Sequence, residues 1–317
     1  MKVWLMFPGT ILFFFFEASA QTQVVKKNPA LDAIVDVYGE IHKIADGFQF
    51  TEGPVWSPKG YLLFSDIPAQ KIYMWDQAGG ISVFVDPSGG SNGLTFDKNG
   101  NLMVCQHSDR RIARLISDNT FETIIDHFNG KRFNSPNDLV IKSDGSIYFT
   151  DPAYGLPKGV NDPAKEIPFQ GVFRYMNGKT ILLDSTLDNP NGIAFSPDEK
   201  SLYVSNYANT TQAKQWRVYR VNKKGGLGKR MVFADATGSL EKGGPDGVKV
   251  DLEGNVYCAG PGGVLIYSPK GVFLGLIRFP EIVANLCFGG NDGKTLFVTA
   301  RTGLYSIPLK TAGIRIK

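Results

Sequence analysis

Glu52, Asn92, Asn137, Asn191, Asp246 and Asn285 each stand at the head of a short apolar run. All six carry a side-chain oxygen, two are carboxylates, and none is Lys, Arg or apolar. A ring of oxygens without sulfur suits a hard cation, and two carboxylates would balance one divalent charge. In five copies the next residue is Gly or Asp, as in Glu52-Gly53, Asn137-Asp138 and Asp246-Gly247. Such pairs are ordinary turn signals, so one alone identifies no site. Glu52 and Asp246 add weight, because a carboxylate buried without a partner is costly and a cation would remove that cost.

These six can act together only if the chain folds so that they converge. One pattern starts at each of them: EGPVWSPKGYLLFSD, NGLTFDKNGNLMVCQ, NDLVIKSDGSIYFTD, NGIAFSPDEKSLYVSN, DGVKVDLEGNVYCAG and NLCFGGNDGKTLFVTA. Consecutive starts lie 39 to 55 residues apart, close to the blade period of β-propellers. Each copy alternates apolar and polar residues, turns on Asn, Asp or Gly, and continues in a β-branched or aromatic strand. The last copy lacks an outer strand, while Gly39 to Asp46 resembles one. The expected fold is all-β, a single six-bladed β-propeller over residues 21–317. An N-terminal strand would complete the last blade and close the ring. The first strand of each blade would line the channel and bring the six oxygens to one mouth.

The bulk properties narrow the function. The chain has 317 residues, 43% hydrophobic and 20% charged, with a net charge of +4 and no long basic run. No nucleic-acid partner is expected. Lys2, the apolar run Val3 to Phe16 and the small residues Ala18-Ser19-Ala20 read as a signal peptide over residues 1–20. The mature chain would start near Gln21 and be secreted or periplasmic, with no membrane partner after cleavage. Cys105, Cys258 and Cys287 make an odd count without a CxxC spacing. They read as buried thiols, with one disulfide left open. His107, just past the second strand of its copy, is a candidate substrate contact or proton carrier. Asp151 and Tyr154 are placed near the rim, a turn role being equally open for Asp151. Arg110 and Arg111 are read as loop supports. Without a GxSxG elbow, a serine-hydrolase mechanism has no support.

The segments FTEGPVW, SPNDLVIKSDGSIYFTDPAYGL, NPNGIAFSPDEKSLYVSN and GPDGVKVDLEGNVYCAGPGGVLIY closely resemble the gluconolactonase branch of one family. That family comprises senescence marker protein, gluconolactonase and luciferin-regenerating enzyme. The resemblance covers Gly47 to Pro308 and implies a six-bladed propeller with one divalent cation in its channel. Ca²⁺ is the first choice, with Zn²⁺, Mn²⁺ or Mg²⁺ as alternatives. It implies metal contacts from Glu52, Asn137, Asn191 and Asp246, with Asp246 also the catalytic acid/base. Asn137, His107, Tyr154 and Asn285 are the expected substrate contacts. Animal sugar lactonases carry Arg where this chain has Ser135, so the resemblance implies a reaction class rather than one sugar. The implied reaction is hydrolysis of a sugar lactone. Aryl-ester or organophosphate hydrolysis on the same site, and a non-catalytic binding propeller, are the alternatives. N-terminal sequencing of the exported protein should start near Gln21; a membrane-retained product that keeps Phe13 to Phe16 would refute the leader assignment.

Overall fold

The computed structural model describes residues 23–207 and 213–314, so the expected leader lies outside them. Among the described residues six large antiparallel sheets follow one another along the chain, each a meander from an inner to an outer strand, beside a small two-stranded hairpin of His127–Phe128 and Lys131–Arg132. The inner strands are Thr51–Trp56, Ser91–Phe96, Leu139–Ile141, Pro190–Phe195, Val248–Val250 and Val283–Gly289, in blades 1 to 6. This is the expected six-bladed β-propeller.

One apolar core fills each gap between adjacent blades. Val55, Leu63, Leu94 and Val104 join blades 1 and 2, while Met103, Cys105, Phe149 and Phe173 join blades 2 and 3. The remaining gaps are filled in the same way. Trp56 stacks on Phe297 at 5.3 Å between ring centroids, where blade 1 meets blade 6. The apolar alternation of each strand therefore buries both faces of every blade except at the rim. The three cysteines are buried, unpaired thiols within these strands.

Closure follows the expected route. His42–Ala45 pairs with Gly303–Pro308, His42 opposite Ser306, and becomes the outer strand of blade 6. Thr51 N–H then donates to Arg301 O at 2.7 Å and fastens blade 1 to blade 6. One element was not foreseen. Val24–Lys26 adds a fifth strand to the outer edge of blade 5, followed by a 3₁₀ turn that buries Leu31 completely. Its three residues are too few to show a period in sequence, and pairing is made possible by the partner strand. A Cβ at Gly275 there would stand 2.4 Å from Val25 O.

The glycines that follow four of the six oxygen-bearing residues serve a purpose other than turning. Of Gly53, Gly93, Gly192 and Gly247, only Gly53 has a positive φ. What they share is lack of room. A Cβ would lie 1.9 Å from Asn92 O at Gly53, 2.7 Å from Asn137 O at Gly93, and 2.4 Å from Asp246 O at Gly192. At Gly247 it would lie 2.1 Å from Asn285 Oδ1. Each inner strand touches the next blade's site residue, and only glycine permits the approach. Gly192→Ala should therefore destabilise by roughly 1–3 kcal/mol, the usual cost of overpacking. Gly228→Ala, whose nearest neighbours stand at 3.5 Å, should change stability by less than about 0.5 kcal/mol. Equal melting temperatures for the two variants would contradict the close-approach reading.

Candidate active site

The inner strands lose ladder register near the residues of interest. Shifts fall between Glu52 and Val55, Ser91 and Leu94, Pro190 and Ile193, and Val283 and Asn285. In blades 3 and 5 the ladder begins only at Leu139 and Val248, just beyond Asn137-Asp138 and Asp246-Gly247. A bulge or late start frees a side chain from strict alternation and re-aims it. All six residues thus leave the sheet plane at the same end of the channel. Ser65 Oγ and Thr150 Oγ1, on the second strands of blades 1 and 3, donate to Asn92 O and Asn191 O of the next blades, each at 2.7 Å.

Glu52 is 3% exposed and accepts from Gly53 N–H at 2.7 Å and Asn285 Nδ2 at 2.9 Å. Burial pushes its carboxyl up to about 7, against these two donors and with Asp138 adding repulsion. Asp246 is pushed well above the carboxylate range, first by burial, then by the charges of Glu52 and Asp138. It lies within hydrogen-bonding reach of Glu52 and Asn191. Asn92 Oδ1, Asn191 Oδ1 and Asp246 Oδ1 are buried and have no hydrogen-bond partner among the described residues. Asn137 is 4% exposed, and its backbone carbonyl accepts from Gly93 N–H at 2.8 Å. Among the described residues no three His, Cys, Asp or Glu side chains form a metal-holding group. The oxygens here come instead from carboxylates mixed with carboxamides. Unpartnered buried oxygens from both kinds of group fit a hard divalent cation.

His107 is 6% exposed, with Nε2 3.1 Å from Asn92 Nδ2. An amide NH₂ only donates, so Nε2 accepts and the ring proton sits on Nδ1. Burial pushes the imidazole down to about 4, so it is neutral at pH 7 and a weak base. It turns Asn92 so that the amide oxygen stays free. Tyr154 keeps 38% of its surface open, while its phenol is pushed well up by burial and by the charge of Asp246, with Asn191 in hydrogen-bonding reach. The loop that carries it is held by Ser135, whose Oγ donates to Pro152 O at 2.6 Å and accepts from Gly155 N–H at 2.8 Å. Ser135 is fully buried and has no atom left for a substrate.

Two residues belong elsewhere than sequence alone suggests. Asn285, expected as a substrate contact, stands behind Glu52. Its amide is spent on Glu52, and its Oδ1 accepts from Leu286 N–H at 2.9 Å and faces Lys249 Nζ at 3.4 Å. Asp151 is fully buried rather than on the rim, and accepts from Asn134 and Ser135 N–H, each at 2.8 Å. Arg110 supports its loop through the carbonyls of Phe133, Asn134 and Ala164. Arg111 pairs with Asp109 at 2.8 Å.

Two charged groups inside the channel escaped sequence reading. Asp138 is 3% exposed, and Lys249 Nζ lies 3.4 Å from its Oδ2. Both left a trace in the repeat. Asp138 replaces the glycine that follows the site residue in four other copies, and Lys249 stands where the first four copies carry Val55, Thr95, Val140 and Ala194.

Residues 50–302 match the SMP-30/Gluconolactonase/LRE-like region. The chain is 37% identical to a gluconolactonase from Zymomonas mobilis, over 92% of this chain and 87% of that protein. A solved gluconolactonase structure from Xanthomonas campestris aligns with a TM-score of 0.82 at 30% identity, covering 92% of this chain and 96% of the other. A calcium-binding regucalcin from Agrobacterium tumefaciens shares the fold, with a TM-score of 0.72 at 20% identity over 87% of this chain and 96% of that one. All six channel-mouth residues, from Glu52 to Asn285, fall inside the matched span, and the chain belongs to the SMP-30/gluconolactonase/LRE-like family.

Proposed function

We propose that this protein is a gluconolactonase-like hydrolase that opens a small sugar lactone with the help of one divalent cation, Ca²⁺ before Zn²⁺, Mn²⁺ or Mg²⁺. The observation that carries this reading is the set of unpartnered buried oxygens on Asn92, Asn191 and Asp246 beside the Glu52 carboxylate. The identity to a gluconolactonase over nearly the whole chain supports the substrate class.

Glu52, Asn137, Asn191 and Asp246 would hold the cation, with Asn92 at the same mouth. When bound, a divalent cation acts as a Lewis acid on the carbonyl and lowers the proton affinity of water. Asp246 is the proposed acid/base. Its unpartnered Oδ1 takes the proton of the attacking water as the water oxygen bonds to the carbonyl carbon. The ring C–O bond then breaks, and the same atom returns the proton to the departing alkoxide, leaving a hydroxy acid. Asn191 is near enough to orient Asp246, and Asn285 fixes Glu52 through a 2.9 Å hydrogen bond. The Tyr154 hydroxyl supplies the substrate-facing donor on this side, because Ser135 is committed to the loop. His107 has no proton-transfer role here; it keeps the Asn92 oxygen aimed inward.

The test is a lactone panel assayed on metal-stripped protein before and after each cation is restored. Stripping should abolish hydrolysis and Ca²⁺ should restore it. Glu52→Gln should bind metal more weakly and recover part of its activity at excess metal. Asp246→Asn keeps an oxygen but loses the base, so at saturating metal kcat should stay about a hundredfold to ten-thousandfold down. Full activity without metal would overturn the cation dependence. Full rescue of Asp246→Asn would reduce Asp246 to a ligand, and turnover of phosphotriesters but not lactones would overturn the substrate class.

A further inference from the structure

The charge of the channel is set by more than the two carboxylates at its mouth. Asp138, Lys249, Asn285 and Glu52 form one line of contacts. Lys249 Nζ lies 3.4 Å from both Asp138 Oδ2 and Asn285 Oδ1, and Asn285 Nδ2 donates to Glu52 Oε2 at 2.9 Å. The Asp138 side chain is 4% exposed and that of Lys249 25%. Lys249 also borders a cavity of about 950 Å³ that opens at the opposite mouth, among the turns that follow the inner strands. It therefore stands between that cavity and the site. The charge of Asp138 reaches both Glu52 and Asp246, and that of Lys249 reaches Glu52.

Three carboxylates and one ammonium leave two negative charges in this part of the channel when all four are ionised. A buried excess of that size asks for one doubly charged partner. We propose that Lys249 is a resident counter-charge that sets the fully ionised, cation-holding form of the site at minus two and so matches it to a divalent cation rather than a trivalent one. This rests on the metal reading above and assigns Lys249 and Asp138 a positioning and charge-setting part in it, with no contact to substrate.

The discriminating quantity is the ratio of Tb³⁺ to Ca²⁺ affinity, because the two ions differ by one charge. It is measured at pH 8 on full-length, metal-stripped protein by Tb³⁺ luminescence and Ca²⁺ competition. Lys249→Met leaves the site at minus three and should raise the ratio on the order of tenfold, as expected for one unit charge acting across a partly buried site. Lys249→Arg should keep the wild-type ratio. Asp138→Asn leaves minus one and should lower the ratio. The double variant Lys249→Met/Asp138→Asn restores minus two and should return it to the wild-type value. That order across the series supports the proposal; a ratio that does not follow net charge overturns it. If Lys249→Met does not fold, Asp138→Asn and the double variant decide by the same rule. Wild-type protein that binds neither ion would instead sink the metal reading, and this inference with it.

Discussion

The nearness of neighbouring inner strands is the constraint on which the rest of this molecule depends. The six interblade cores draw the blades together, and the chain stops only where backbone meets backbone. At Gly53, Gly93 and Gly192 the neighbour in the way is the carbonyl oxygen of the next blade's site residue. A wider ring would keep its hydrophobic contacts at the rim yet hold the channel oxygens too far apart to share one ligand. The same contact that limits the packing therefore sets the size of the site. Ser65 reinforces it by binding the Asn92 carbonyl that Gly53 approaches, and Thr150 binds the carbonyl of Asn191 across the next-but-one gap in the same way.

This arrangement is costly where it is useful. Burial raises the proton affinity of both Glu52 and Asp246, the charge of Glu52 raises that of Asp246 further, and three nearby oxygens lack hydrogen-bond partners among the described residues. A buried polar group without a partner costs about 1–3 kcal/mol. The cost is met by interblade packing spread over the whole ring, so strain at the centre and stability at the periphery are separate. Asp151 shows the contrasting use of a buried carboxylate. Its two oxygens are taken by two backbone N–H groups, and it anchors a loop instead of facing the channel.

Much of this was legible in the sequence because a repeat states the same fact six times. Turn residues, alternating strands and the oxygen-bearing heads of the copies are each weak signals, and their recurrence located the ring, its closure and the mouth. What escaped was whatever occurs once. Lys249 lies in Val-Lys-Val, where alternation alone assigns a charged residue to solvent; only the channel geometry turns it toward Asp138. Val24–Lys26 is too short to show a period. Asn285 shares its residue type and repeat position with the site asparagines, and its distinct role appears only when its amide is traced to Glu52. Glycine after the site residue was read as a turn former, since sequence carries no sign of how near the next blade comes.

The N-terminal strands give the ring a temporal order. His42–Ala45 pairs with Gly303–Pro308, and Val24–Lys26 with Phe273–Ile277, so segments made first must wait for segments made last. The blades between them can form by local pairing as the chain emerges, since each is a meander of adjacent strands. Two outer edges stay open until the C-terminal region arrives. Contacts that span nearly the whole sequence slow the final step, because loop closure precedes the contacts that reward it. In the interval those edges present unpaired backbone groups to any passing strand. The ring is thus most vulnerable to intermolecular pairing just before it becomes continuous, and its last-made residues decide when that period ends.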